Sequence, residues 1–214
     1  MTFTIIGIDK KRKELGIACY SKAFAAGAIV PAIDLNSGVV ATQAWPNVSY
    51  KEDGLKLMKK FSPENAIQII TNKDKKREFR QVILMNKSGA GFAFTGKKNT
   101  SWAGSLKGKD CICAGNTLVG ERVISAMVDA FEGAKGSLAE KLVFALKAGE
   151  KLGGDKRNKK FNSSGLIVEK KKAGIFGIGN RFIDLRIDNS LDSISELSNL
   201  LKEHLRLEKL YSKR

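Results

Sequence analysis

The chain has 214 residues, 43% of them hydrophobic and 28% charged, a composition that builds one folded domain with a sizeable core and excludes a disordered chain. No apolar run reaches the roughly 18 residues of a membrane span, and no charged segment followed by an apolar one marks a leader, so a cytoplasmic protein without membrane contact is expected. The formal net charge of +16 invites a nucleic-acid partner, but only nine of the 38 basic residues are arginines, and the lysines lie scattered in turn-like runs, so a solvated surface is the better reading.

In chain order, "TFTIIGI", "ELGIACYS" and "GVVATQA" read as strands, with "DKKRK" as the turn of a first hairpin. "KEDGLKLMKKF" and "SPENAIQIITN" follow as helices. Ser62 is a good N-cap for the second, Pro63 suits its first position and Glu64 its first turn. A second hairpin is expected from "REFRQVILMN" and "GFAFTG" around "KSGA", then a short strand at "KDCICAG". Helical spacing of Val123, Met127 and Phe131, and of Leu138, Leu142 and Leu146, predicts two further helices. "SSGLIVEK" and "RFIDLRID" return to strand, and "SISELSNLLKEHLRLEKLY" closes as an amphipathic helix. Hairpins followed by helix pairs, twice, predict two antiparallel sheets covered by helices, a layered α+β domain over residues 1–214.

Elimination narrows the chemistry. "GFAFTGKK" has Gly91, Gly96 and Lys97 at phosphate-loop spacing, but Lys98 stands where Ser or Thr must hold magnesium, so a nucleotide hydrolase is rejected. Cys19, Cys111 and Cys113 lack the further ligands a metal needs and read as buried thiols. The one histidine, His204, sits on the flank of the Leu197/Leu201 stripe and reads as a packing residue; Ser-His and Cys-His catalysis therefore fail. No metal or cofactor is expected. What remains is a nucleophile that needs no histidine, and Thr2 offers one: once Met1 is removed, its own α-amine can act as base.

"MTFTIIGID", "ELGIACYSKAFAAGAIVP", "GVVATQAWPNVSYKEDGLKLM", "AGNTLVG", "AGEKLGGDKRNKKFNSSGLIV" and "RFIDLRIDN", in this order, resemble a family of N-terminal-nucleophile (Ntn) hydrolase-like proteins known as domain of unknown function 1028. The resemblance spans essentially the whole chain. It implies a four-layer αββα sandwich and a hydrolase of small amide or peptide-like substrates. It also implies a residue set: Thr2 at the nucleophile position and Asn116 in "GNTL", expected to donate to the oxyanion, while Lys22 stands where the family more usually has arginine and would favour the neutral amine by its charge. Ser21, Gln43, Asn47, Asp155 and Arg157 would line the substrate. Arg157, whose planar fork suits a carboxylate, would bind one on the substrate, and Asp155 would orient it. The expected partners are that small substrate and further copies of the chain. A non-catalytic protein binding a small anionic ligand in the same cleft is the alternative, ahead of a basic nucleic-acid binder.

Overall fold

The computed structural model describes residues 2–154, 160–174 and 177–211. Its regular elements are mixed α and β, with two antiparallel sheets and six helices among the described residues. Strands β1 (Thr2–Asp9) and β2 (Glu14–Ser21) form the first hairpin as expected, with Phe3 opposite Tyr20 and Asp9 opposite Glu14. They join β7 (Trp102–Lys107), β8 (Cys111–Leu118), β9 (Asn162–Lys170) and β10 (Arg181–Ser190) in a six-stranded sheet of order β10-β9-β2-β1-β8-β7. The second sheet runs β3 (Pro31–Asp34), β4 (Gly38–Ala44), β5 (Arg80–Asn86), β6 (Gly91–Thr95) in that order.

Strand alternation sorts the side chains into three cores. On one face of the larger sheet, Phe3, Ile5 and Ala18 pack against α4 (Arg122–Gly133), α5 (Leu138–Lys151) and α6 (Ser193–Tyr211) through Met127, Leu142 and Leu197. On its other face, Ile6, Ile17 and Ile112 meet Val39, Ile83 and Met85 of the smaller sheet. The outer face of the smaller sheet, with Val40, Val82 and Leu84, is covered by Tyr50 of α2 (Ser49–Leu57) and Ile67 and Ile70 of α3 (Pro63–Asn72). Each fully buried Ile or Phe contributes on the order of 2 kcal/mol.

Local signals set the helix starts, at Ser62 as the sequence predicts. Ser62 Oγ accepts from the Asn65 amide to cap α3, with Pro63 at its first turn. Ser137 and Glu140 close a capping box on α5. Gly7 and Gly16, paired across the hairpin, let the helices seat closely: a Cβ at Gly7 would lie 2.8 Å from Phe131 Cζ and one at Gly16 2.6 Å from Leu142 Cδ1.

Three elements escape the pattern reading. The short helix α1 (Ala26–Ile29) and strand β3 are only four residues each, too short to show a period. Strand β7, "WAGSLK", is an edge strand with partly exposed side chains and no β-branched residue. The apparent repeat of hairpins and helix pairs also does not give one sheet per half. β1 and β2 pair with strands from the second half, and β3 to β6 form the other sheet alone.

Candidate functional site

At one end of the space between the sheets the core changes from aliphatic to polar. Thr2 and Thr4 point there from β1, on the same face as Ile6 and Ile8. Thr2 Oγ1 donates to Ser21 Oγ at the end of β2, 3.2 Å away. Asn116 of β8 stands directly opposite Thr2 in the register. From the facing sheet come Gln43 and Gln81. Thr4 Oγ1 donates to Gln43 Oε1 at 2.6 Å, and Gln43 Nε2 donates to Gln81 Oε1 at 2.7 Å. The same Gln81 oxygen accepts from Asn116 Nδ2 at 3.0 Å. Gln81 Nε2 in turn reaches Thr95 Oγ1 at 2.9 Å and the Gly115 carbonyl at 2.9 Å.

Thr2, Thr4, Ser21, Gln43, Gln81 and Asn116 are all buried. Burying an amide without a partner costs about 1–3 kcal/mol, so this cluster exists only because its hydrogen bonds are satisfied across both sheets. Its backbone is also strained. Ala44, directly after Gln43, has φ 72°, and Thr117, directly after Asn116, has φ 56°. The left-handed region is unusual for any side chain and more so for a β-branched one. At Thr117 the β7–β8 pairing slips between Trp102 and Gly104, so Asn116 and Thr117 face a single residue of β7. Bulges of this kind re-aim a side chain.

Gln81 was not among the sequence candidates. Its signal was present: in "RQVILMN" it shares a face with Ile83 and Met85, so a long polar amide stands on a core-facing position.

Of the residues that the sequence put together, the structure gathers Thr2, Ser21, Gln43 and Asn116 in this cluster. Asn47 lies elsewhere, on the outer side of the smaller sheet. Its amide N and carbonyl both meet Thr42 Oγ1, and its Nδ2 donates to Asp74 Oδ2 at 3.2 Å. Tyr50 Oη and Arg80 Nε each reach the same oxygen at 2.9 Å. Burial pushes the Asp74 carboxyl up, but these donors and the Lys76 amide outweigh it and hold the group at about 2. That network ties the loop after β4 to the loop after α3. Lys22 follows Ser21 and, with Phe24, Lys160, Phe161 and Asn189, lines an open cavity of about 330 Å³. Asp155 and Arg157 lie outside the described residues.

The family described as Family of unknown function (DUF1028) matches residues 2–197. The chain belongs to the DUF1028 family. A crystal structure of a DUF1028 protein from Silicibacter pomeroyi superposes with a TM-score of 0.85 at 28% identity, covering 94% of this chain and 88% of that one. None of the curated proteins compared matches it.

Other nucleophiles and bases in this DUF1028 chain are in poor positions for chemistry. Burial drives the Cys19 thiol up to about 12, with a Gly165 backbone hydrogen bond only partly opposing it. Cys113 is raised as well, by burial and then by Cys111. His204 sets its ring edge-on to Phe182, 5.7 Å between centroids, in the outer core. Gly96 of "GFAFTGKK" lies against the Glu78 backbone, where a Cβ would come within 2.4 Å, and the Lys97 amide is taken by Glu78 Oε2. No group of three or more His, Cys, Asp or Glu among the described residues could hold a metal ion. No helix among them is long and apolar enough to cross a membrane.

Proposed function

We propose that this protein is an Ntn-type amidohydrolase or peptidase acting on a small amide or peptide-like substrate, with Thr2 as nucleophile once Met1 is removed. The observation that carries this reading is the position of Thr2. Its hydroxyl sits at the polar mouth between the two sheets, donating to Ser21, with Asn116 directly across the strand pair. The three stacked cores support an αββα layering of the Ntn-hydrolase kind.

In this scheme Thr2 Oγ attacks the amide carbonyl while the Thr2 α-amine takes its proton. An unperturbed α-amine has a pKa of about 7.7–8.0, well placed to accept a proton near neutrality. The second hydrogen on Asn116 Nδ2, beside the one given to Gln81, donates to the developing oxyanion. Gln81 holds that amide still. The ammonium then protonates the leaving amine, an ester on Thr2 remains, and water activated by the amine releases the acid and restores the hydroxyl.

The test begins with intact mass, to establish that Thr2 carries a free amine, followed by a screen of amides and short peptides. Thr2→Ala is expected to lower turnover by about 10³-fold or more, with Thr2→Ser retaining part of it. Turnover should fall as pH drops and the amine becomes protonated. Full activity in Thr2→Ala would refute the assignment and leave the cleft as a binding site.

A further inference from the structure

The cavity beside Ser21 has a chemical character of its own. Lys22 and Lys160 contribute two ammonium groups, Phe24 and Phe161 two phenyl rings, and Asn189 an amide. Both rings are largely exposed, 71% for Phe24 and 54% for Phe161. Large aromatic side chains bury themselves where the fold allows it, so two exposed rings beside two cations form a surface whose complement is apolar and anionic.

The cavity also belongs to the same end of the same sheet as Thr2. Ser21, the hydrogen-bond partner of Thr2, is followed directly by Lys22, and it pairs across the next strand with Ser163, two residues from Phe161. Adjacent strands are about 4.8 Å apart, and the lining residues stand one to three strands over from Thr2, so they lie roughly 5–15 Å from it, the reach of about two to four extended residues. Lys22 also interacts with Glu150, whose carboxyl is raised first by burial and then by Asp192, and lowered by Lys147 and Lys22.

We infer that this cavity is a subsite for a carboxylate carried on an aromatic or aliphatic group, seated with its apolar part between Phe24 and Phe161 and its anion toward Lys22 and Lys160. In combination with the hydrolase reading above, on which its position relative to the cleaved bond rests, this makes the substrate a small amide or peptide ending in an apolar residue with a free carboxylate. The cavity then gives Lys22 a binding role.

The test separates the subsite from the chemistry by measuring binding in Thr2→Ala, which does not turn over. The probes are N-acetylphenylalanine and its uncharged counterpart N-acetylphenylalaninamide, followed by calorimetry and by NMR shift mapping. The acid should bind about tenfold more tightly than the amide or better, its affinity should weaken with added salt, and its shifts should centre on Phe24 and Phe161. Lys160→Gln should lose most of the preference for the acid, and Phe161→Ala should weaken both probes, while melting temperature confirms that each variant is folded. Equal binding of acid and amide, no binding of either, or an acid preference unchanged in Lys160→Gln would overturn the subsite. Binding with these properties but no turnover of any amide by wild-type protein would sustain the subsite and remove the hydrolase reading.

Discussion

The two ends of the slab between the sheets differ in what fills them. Toward the hairpin turns, Ile8, Leu15, Val39, Met85 and Ile112 make an ordinary aliphatic core, capped outside by lysine-bearing turns such as Lys10, Lys11 and Lys13. Toward Thr2, the same strands put Thr4, Gln43, Gln81 and Asn116 inside, while Phe24, Trp45, Phe79, Val119, Phe161 and Leu191 are exposed on the loops around the mouth. The usual distribution is inverted: amides inside, aromatics outside. Stability alone would favour aliphatic residues at both ends, because a satisfied buried hydrogen bond contributes only about 1 kcal/mol net. The polar end is therefore where structure has been organised for something other than stability.

The contrast yields a ranked set of tests. Gln81→Leu should have the largest effect on folding. It strips partners from Gln43, Asn116, Thr95 and the Gly115 carbonyl at once, and should lower stability by about 3–5 kcal/mol, or Tm by roughly 10 °C. Urea unfolding measures this, and a loss under about 1 kcal/mol would mean that the amide network is not what joins the sheets there.

Asp74→Asn should come next, at about 2–3 kcal/mol, because it leaves Arg80 without its buried counter-charge. The pH dependence has a defined sign. The folded carboxyl is held at about 2 against 3.8, so its contribution is complete above about pH 4 and disappears as pH falls through 2. Acid unfolding of the wild type should steepen across that window, and Asp74→Asn should flatten it.

How much of this was legible beforehand differs between the same two ends. The hairpin end was readable from β-branched alternation, as "TFTIIGI" shows, because an aliphatic core repeats with a fixed period. The order of strands in the sheets was not, since the pairing of β1 with β8 joins residues more than 100 positions apart and no local pattern encodes it. At the polar end, Thr2 came first from elimination of histidine-dependent chemistry and then from the family resemblance, which also supplied Ser21, Gln43 and Asn116. Gln81 was missed because a glutamine within "REFRQVILMN" reads as a surface residue by type, although its alternation with Ile83 and Met85 already sets it on a core-facing position. Asn47 is two residues from Ser49 in a loop, where one turn of backbone decides which side of the sheet it serves.

A smaller effect is expected at Thr117. Thr117→Gly relieves a left-handed β-branched residue and should raise stability by about 1 kcal/mol while reducing turnover, since Asn116 loses its fixed aim. A loss of stability would show that the bend carries no strain. The smallest effect belongs to the hairpin end: replacing Lys10, Lys11 and Lys13 together with Gln should change stability by less than about 1 kcal/mol. Lys10 pairs with Asp110 at 2.9 Å through a largely exposed lysine side chain. A larger loss would place part of the fold's stability in the lysine turns and weaken the contrast between the ends.

The central claim is that the hydroxyl of Thr2 is the reactive group of the polar end. Its most direct test is treatment of protein with a free Thr2 amine with a β-lactone, a strained ester that acylates activated hydroxyls, followed by intact mass and peptide mapping. The account predicts a single acyl group, placed on Thr2 and absent from Thr2→Ala. Labelling confined to lysines, or equal labelling of Thr2→Ala, would contradict it.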